Sequence, residues 1–245
     1  MLSLKDHPFP VETFFENSLV ITFAAPKEEI VKLIPACLTP DVYKDKWAFI
    51  AAAMVKTKAL RPKGLPEILG NDFILIGYRV FVRYRTNAGK NLRGLYILGS
   101  QTNRKKMEFF GNLFTHYNYS TTDIEMTKTG DIVEVHSARS GLDVKIRSGL
   151  NEPKLPEGSP FESWTDARKF AGPLPFTFTV NEDKNELLII EGVRSNWKPE
   201  PVEIISQSIK FIESKKINGL VAANAFMVEN VPYYWKKGRK EKLAL

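Results

Sequence analysis

The chain reads as a mainly β protein, a β-rich α+β fold in which a few short helices accompany an antiparallel, closed or nearly closed barrel. Three features of its 245 residues say so. Stretches with strand-like alternation or continuous apolar character recur along most of the length. Clusters of Gly, Pro, Asn and Asp separate them at hairpin-like intervals. Helical spacing occurs in only two or three short stretches, with no internal repeat or long linker. Barrels of this length commonly form one unit, so a single domain is expected over residues 1–235, followed by a basic tail at 236–245.

The elements follow in order. Residues 18–24 (SLVITFA) form the first strand, and Pro26 opens a short helix with Glu28 and Glu29 at its positive end, which Pro35 stops. Residues 47–57 (WAFIAAAMVKT) read as a strand whose small residues face something bulky, although the alanines also suit a helix. The breaker-rich loop LRPKGLPEILGN leads into a long strand at 72–86. Its alternation places Ile74, Ile76, Tyr78, Val80, Val82 and Tyr84 on one face and Leu75, Gly77, Arg79, Phe81, Arg83 and Arg85 on the other. The turn at 87–91 returns the chain into a partner strand at 93–101.

Asn103 is the expected N-cap of a helix reaching Phe114, with Met107, Phe110, Gly111 and Phe114 on one stripe. Strands are expected at 117–127, 131–138 and 142–148. A second helix begins at SPFESWTDARKF, where Ser159 and Glu162 form a capping box and Pro160 takes the first helical position. Further strands are expected at 176–180, 186–193, 202–213 and 222–229.

Composition narrows the function classes. The formal charge is +7, but Lys236, Lys237, Arg239, Lys240 and Lys242 against Glu241 place +4 of it in the last ten residues. The excess therefore reads as a solvated tail and not as the basic face of a nucleic-acid binder. A lone Cys37 builds neither a disulfide framework nor a cysteine-based zinc site. His7 and His136 have no neighbours at ligand spacing, so neither a metal nor a cofactor is expected. No apolar run reaches the roughly 20 residues that span a bilayer, and no signal-peptide pattern opens the chain, so a cytoplasmic protein without membrane contact is expected. The oligomeric state stays open, a homo-oligomer included.

Among candidate site residues, Arg79 stands out as a permanent charge in mid-strand beside Gly77 and Phe81, a costly position unless an anion or carboxylate meets it. If that face lines a cavity, Arg79 anchors a carboxylate; if it is solvated, Arg79 pairs with an acidic neighbour. His116 is suited to carrying a proton near neutral pH. Tyr117, Asn118 and Tyr119 alternate behind it. Trp164 and Arg168, four apart, share a helix face.

The chain resembles the DUF2071 (YqjF-like) family, uncharacterised bacterial proteins of the acetoacetate decarboxylase-like superfamily. The resemblance rests on Leu33-Ile34-Pro35, the Arg-Pro-x-Gly-Leu-Pro loop from Arg61 to Pro66, Tyr-Arg-Val-Phe-Val-Arg from Tyr78 to Arg83 and Gly-Leu-Tyr-Ile-Leu from Gly94 to Leu98. The helix that follows, with its exit from Asn112 through Tyr119, completes it. It implies a β-barrel with a central cavity, and a helix covering one end from which Arg168 reaches inward. Decarboxylases of that superfamily use a lysine that forms an imine with a β-keto acid, activated by desolvation and a neighbouring cation. Aligned on its turn, the lysine positions become Asn118 and Tyr119, and neither forms an imine. Lys105 and Lys106, at a helix N-terminus, are the remaining candidates for such chemistry. Successive helical residues point about 100° apart, so only one of the two can face a cavity.

The resulting expectation is a protein that holds a small, anionic organic acid or similar metabolite in a central cavity. Arg79, His116, Asn118, Tyr119 and Arg168 contact it, with acid/base chemistry within reach of His116 and Tyr119. Two alternatives stand beside it. One is a Schiff-base decarboxylase or lyase working through Lys105 or Lys106 on a keto acid or related carbonyl compound. The other is a non-enzymatic binding protein that uses the basic tail.

Overall fold

The computed structural model describes residues 3–172 and 174–243. In chain order its strands are β1 (Val11–Pro26), β2 (Thr39–Pro40), β3 (Trp47–Pro62), β4 (Asn71–Arg85), β5 (Asn91–Thr102), β6 (Tyr119–Thr121), β7 (Glu125–Thr129), β8 (Ile132–Ser137) and β9 (Leu142–Arg147). They continue with β10 (Phe176–Asn181), β11 (Glu186–Arg194), β12 (Glu200–Pro201), β13 (Glu203–Ile209), β14 (Val221–Trp235) and β15 (Arg239–Lys242). The helices are α1 (Lys27–Ile30), α2 (Lys105–Phe114), α3 (Trp164–Ala171) and α4 (Lys210–Glu213). None among the described residues is long and apolar enough to cross a membrane.

Eleven strands form one ring-like sheet. Pairing runs β14–β1–β3–β4–β5–β10–β11, and β11 pairs back onto β14. Most contacts are antiparallel, but β5 is joined to β10 and to β6 in parallel. A second sheet of order β13–β9–β8–β7 lies against the outside of the ring. This explains the near-continuous apolar runs of β1 and β3, whose two faces are both covered. On β3, Ala48, Ile50, Ala52 and Met54 join the core shared with the second sheet. Phe49, Ala51, Ala53 and Val55 face the other way.

Several expected elements change shape. The strand expected at 117–127 splits into β6 and β7 because the chain leaves one sheet for the other there. Asp123 marks the crossing, accepting hydrogen bonds from Ser137 Oγ at 2.5 Å and from the Arg139 amide. Asn103 does not cap α2; its side-chain oxygen accepts from the Ile74 amide at 2.8 Å. The second helix starts later than expected, with Ser163 as N-cap accepting from the Asp166 amide. The Ser159 hydroxyl is taken instead by the Ala223 carbonyl at 2.7 Å. Residues 202–213 divide into β13 and α4, whereas β1, β3 and β14 extend beyond the expected limits.

The basic end is not a free tail. Arg239–Lys242 is a strand paired with β11. Lys240 reaches Asp6 at 2.5 Å and Glu186 at 3.4 Å, Lys242 reaches Glu186 at 3.1 Å, and Lys236 reaches Glu191 at 2.9 Å. Most of the charge counted as solvated is matched in place. The last two residues of the expected tail, like residues 1–2 of the expected domain, lie outside the described residues.

Candidate functional site

Strands β1, β3, β4, β5, β6, β10, β11 and β14 all contribute to the wall of a cavity of about 520 Å³. The strand ladder sets its levels. One row runs Val20–Ala53–Gly77–Ser100 across β1, β3, β4 and β5, and the next contains Ala51, Arg79 and Ile97. Small side chains in the first row leave the hollow; a Cβ added at Gly77 would meet nothing within 4 Å. Beyond Arg79 the interior is closed by aromatic packing, with Phe49 stacked on Phe161 at 5.4 Å and next to Phe81 and Phe170. At the other end α2 lays Met107, Phe110, Gly111 and Phe114 against the cavity. Gly111 is required there, since a Cβ would come within 2.4 Å of the Tyr119 ring.

The electrostatics are one-sided. The wall holds Arg61, Arg79, Arg194 and Lys106, and no Asp or Glu among the described residues. Arg61 at the rim is neutralised by Glu12 at 2.9 Å. Arg79 has no such partner: its Nε is buried without a hydrogen bond, and the titratable neighbours that act on it are the Tyr233 phenol and the Arg194 guanidinium. Its remaining accessible surface faces the hollow. Desolvation pulls its pKa down to about 10, so it stays cationic at neutral pH. Burial lowers Arg194 as well; its guanidinium lies 4.6 Å from the Trp197 ring and 5.7 Å from that of Tyr233. Two mutually repelling cations therefore share a hollow whose described lining holds no acid, so its potential is positive.

Other polar groups converge on the same space without partners. His7 Nδ1, Thr57 Oγ1, Tyr117 OH and Trp197 Nε1 line the cavity and are buried and unbonded, as is Arg79 Nε. Tyr117 has Thr177 close enough to act on its hydroxyl, although not in hydrogen-bond geometry, and burial raises its pKa strongly. Burial also raises Tyr119 and Tyr233, so all three are neutral donors at physiological pH. His7 is pushed down to about 4 by desolvation and is uncharged near neutrality. Among the described residues no group of three His, Cys, Asp or Glu is arranged to hold a metal ion.

Of the residues singled out from the sequence, Arg79 and Tyr119 line the cavity; His116, Asn118 and Arg168 do not. His116 turns toward the N-terminal segment, its Nε2 3.5 Å from Asp6 Oδ1. Asn118 takes a left-handed backbone conformation (φ 51°) that exposes its side chain while Tyr119 turns in. Arg168 is exposed because α3 buries Ala167 and Ala171 toward the plug. Lys105 is exposed outside the cavity, and Lys106, also exposed, contributes only at the rim. Sequence reading missed Arg194, Tyr233 and Trp197 and left His7 without a role. One signal for Arg194 was present: like Arg79, it follows a glycine by two residues on the same strand face, at Gly192. That glycine makes room for Tyr233, whose hydroxyl lies 1.9 Å from where a Cβ would stand.

This ring-like sheet has the acetoacetate decarboxylase-like fold. Solved structures of that class align over nearly the whole chain. Acetoacetate decarboxylase from Legionella pneumophila matches with a TM-score of 0.61 at 10% identity, covering 96% of this chain and 88% of that one. An acetoacetate decarboxylase-like enzyme from Sphingomonas wittichii gives 0.60 at 11%, covering 99% and 96%. The enduracididine biosynthesis enzyme MppR complexed with pyruvate gives 0.56 at 9%, covering 98% and 91%. At these identities the likeness establishes the fold. Within it, the chain belongs to the DUF2071 family of uncharacterised conserved proteins, whose sequence model matches residues 14–232. No curated protein sequence matches it.

Proposed function

We propose that this protein binds a small organic acid in its central cavity, with Arg79 as the carboxylate anchor. The observation that carries the reading is a cationic guanidinium with an unsatisfied Nε in a wall that contains no carboxylate among the described residues. A ligand anion would supply the missing acceptor, and the neutral hydroxyl of Tyr117 and the indole of Trp197 would donate to the same ligand. The pyruvate complex of MppR, a protein of the same fold, supports an organic acid as the ligand class. Trp197 and Trp235 both line the cavity, so intrinsic fluorescence reports occupancy. Titration with pyruvate and a panel of other monocarboxylates should quench it, and Arg79→Met should weaken binding about 10- to 100-fold, the worth of a charged hydrogen bond. Unchanged affinity in a folded R79M variant would remove Arg79 from the site.

An imine-forming activity rests on Lys106, whose side chain touches the rim. Borohydride reduction with a keto acid, followed by peptide mass analysis, decides it. A reduced adduct on Lys106 is the outcome that reading requires, and unmodified peptide ends it.

A further inference from the structure

The cavity is larger and oilier than a short acid needs, and its polar and apolar parts are separated along the strands. On β4 the inward residues after Arg79, counting back toward the strand start, are Gly77, Leu75 and Phe73. Six residues of extended chain span about 20 Å, and no ionisable side chain interrupts this strip. Gly77 lies between Ala53 and Ser100 in the ladder, so the strip is indented where it leaves the guanidinium. Its far end packs with Met107 of α2, and Phe110 of the same helix also lines the cavity. There the wall reaches solvent through Leu69 and Phe110, which are 59% and 39% exposed although both are large and apolar. Beyond Arg79 the aromatic plug blocks extension in the other direction.

Resting on the reading of Arg79 as a carboxylate anchor, we infer that the ligand is an amphipathic monocarboxylate, its head at Arg79 and Arg194 and an extended aliphatic chain lying along Gly77, Leu75 and Phe73 toward α2. The chain replaces water against a largely apolar wall, and the head meets the cations that lack acids. A cavity of about 520 Å³ is within the range that encloses ligands of this size.

A homologous series of straight-chain carboxylates from propanoate to decanoate, titrated against the wild type, R79M and Gly77→Leu, tests this. Burial of each added methylene should tighten wild-type binding about fourfold. R79M should weaken every member, and methyl decanoate, which lacks the charge, should bind far more weakly than decanoate. The leucine of G77L enters open space at a position without positive φ, so it should abolish the dependence on chain length while propanoate still binds. Leu75→Trp blocks the same strip should G77L fail to fold. A series that binds through Arg79 with no gain per methylene overturns the aliphatic chain and leaves the organic-acid reading intact. A gain that survives both blocking variants overturns its placement along β4. Binding of no carboxylate at all ends both readings.

Discussion

Two arginines four residues apart on the same face of β4 have opposite surroundings. Arg83 Nε contacts Asp41 Oδ1 at 2.5 Å, and Arg93 on the adjacent strand holds Asp41 Oδ2 at 2.7 Å while donating to the Phe170 carbonyl at 2.8 Å. That cluster ties β4, β5 and the end of α3 together around a fully buried carboxylate. Arg79, one level inside the aromatic plug, has no carboxylate and shares its hollow with another cation. A buried charge matched within the chain supports the fold; one left unmatched costs stability, and in the proposed function that cost is offset by a bound anion.

The largest effect is expected at Asp41. Asp41→Ala should lower unfolding free energy by about 3 kcal/mol, read from the denaturant midpoint, because the buried carboxylate organises two arginines. A loss below 1 kcal/mol would mean that the partly exposed Arg83 and Arg93 are satisfied by water. Arg79→Met should act in the opposite direction and stabilise the ligand-free protein by about 2 kcal/mol while ligand binding is lost. The sign follows from a folded-state pKa near 10 against the ordinary 12.5. The protonated form is penalised on folding throughout the range below pH 10, and the penalty is relieved only as pH rises toward 12.5.

His7 resolves the same conflict by staying neutral. Its pKa falls from 6.5 to about 4 in the fold, so between those values the unfolded chain binds the extra proton. Its contribution should therefore make stability fall by about 1 kcal/mol per pH unit as pH drops from 6.5 to 4. Urea unfolding of the wild type and His7→Gln across that range checks this, since the variant should show a shallower slope. The smallest effect is expected at Arg194. Arg194→Met should change stability by less than about 1 kcal/mol, because relief from desolvation is offset by losing the stacking on Trp197.

Much of the wall is legible in the sequence. Period-two alternation on β4 sorted Leu75, Gly77, Arg79 and Phe81 onto one face, and helical spacing collected Met107, Phe110, Gly111 and Phe114, all of which line the cavity. Alternation could not say which β4 face turned inward, because the other face is equally apolar and packs toward the second sheet. Local pattern also misled where a distant group competed. Ser159 and Glu162 form a plausible cap, but the Ala223 carbonyl claims the serine, and the Ser163 hydroxyl does the capping. The terminal lysines looked solvated because their acids, Asp6, Glu186 and Glu191, lie far away in sequence.

What the amino-acid order determined alone was therefore local: strands, short helices, small residues at the levels of Ala53 and Gly77, and an arginine in mid-strand. Periodicity and side-chain chemistry act over a few residues, and both are written in the chain. Closure of the ring decided the rest. It brought Arg194 and Tyr233 beside Arg79 and left Arg79 without an acid, while tertiary packing gave Arg83 its acid and drew His116 toward Asp6. The meeting of Arg79 with Arg194 and Tyr233 joins strands more than a hundred residues apart, and Arg83 finds Asp41 across 42 residues; no local preference encodes either meeting.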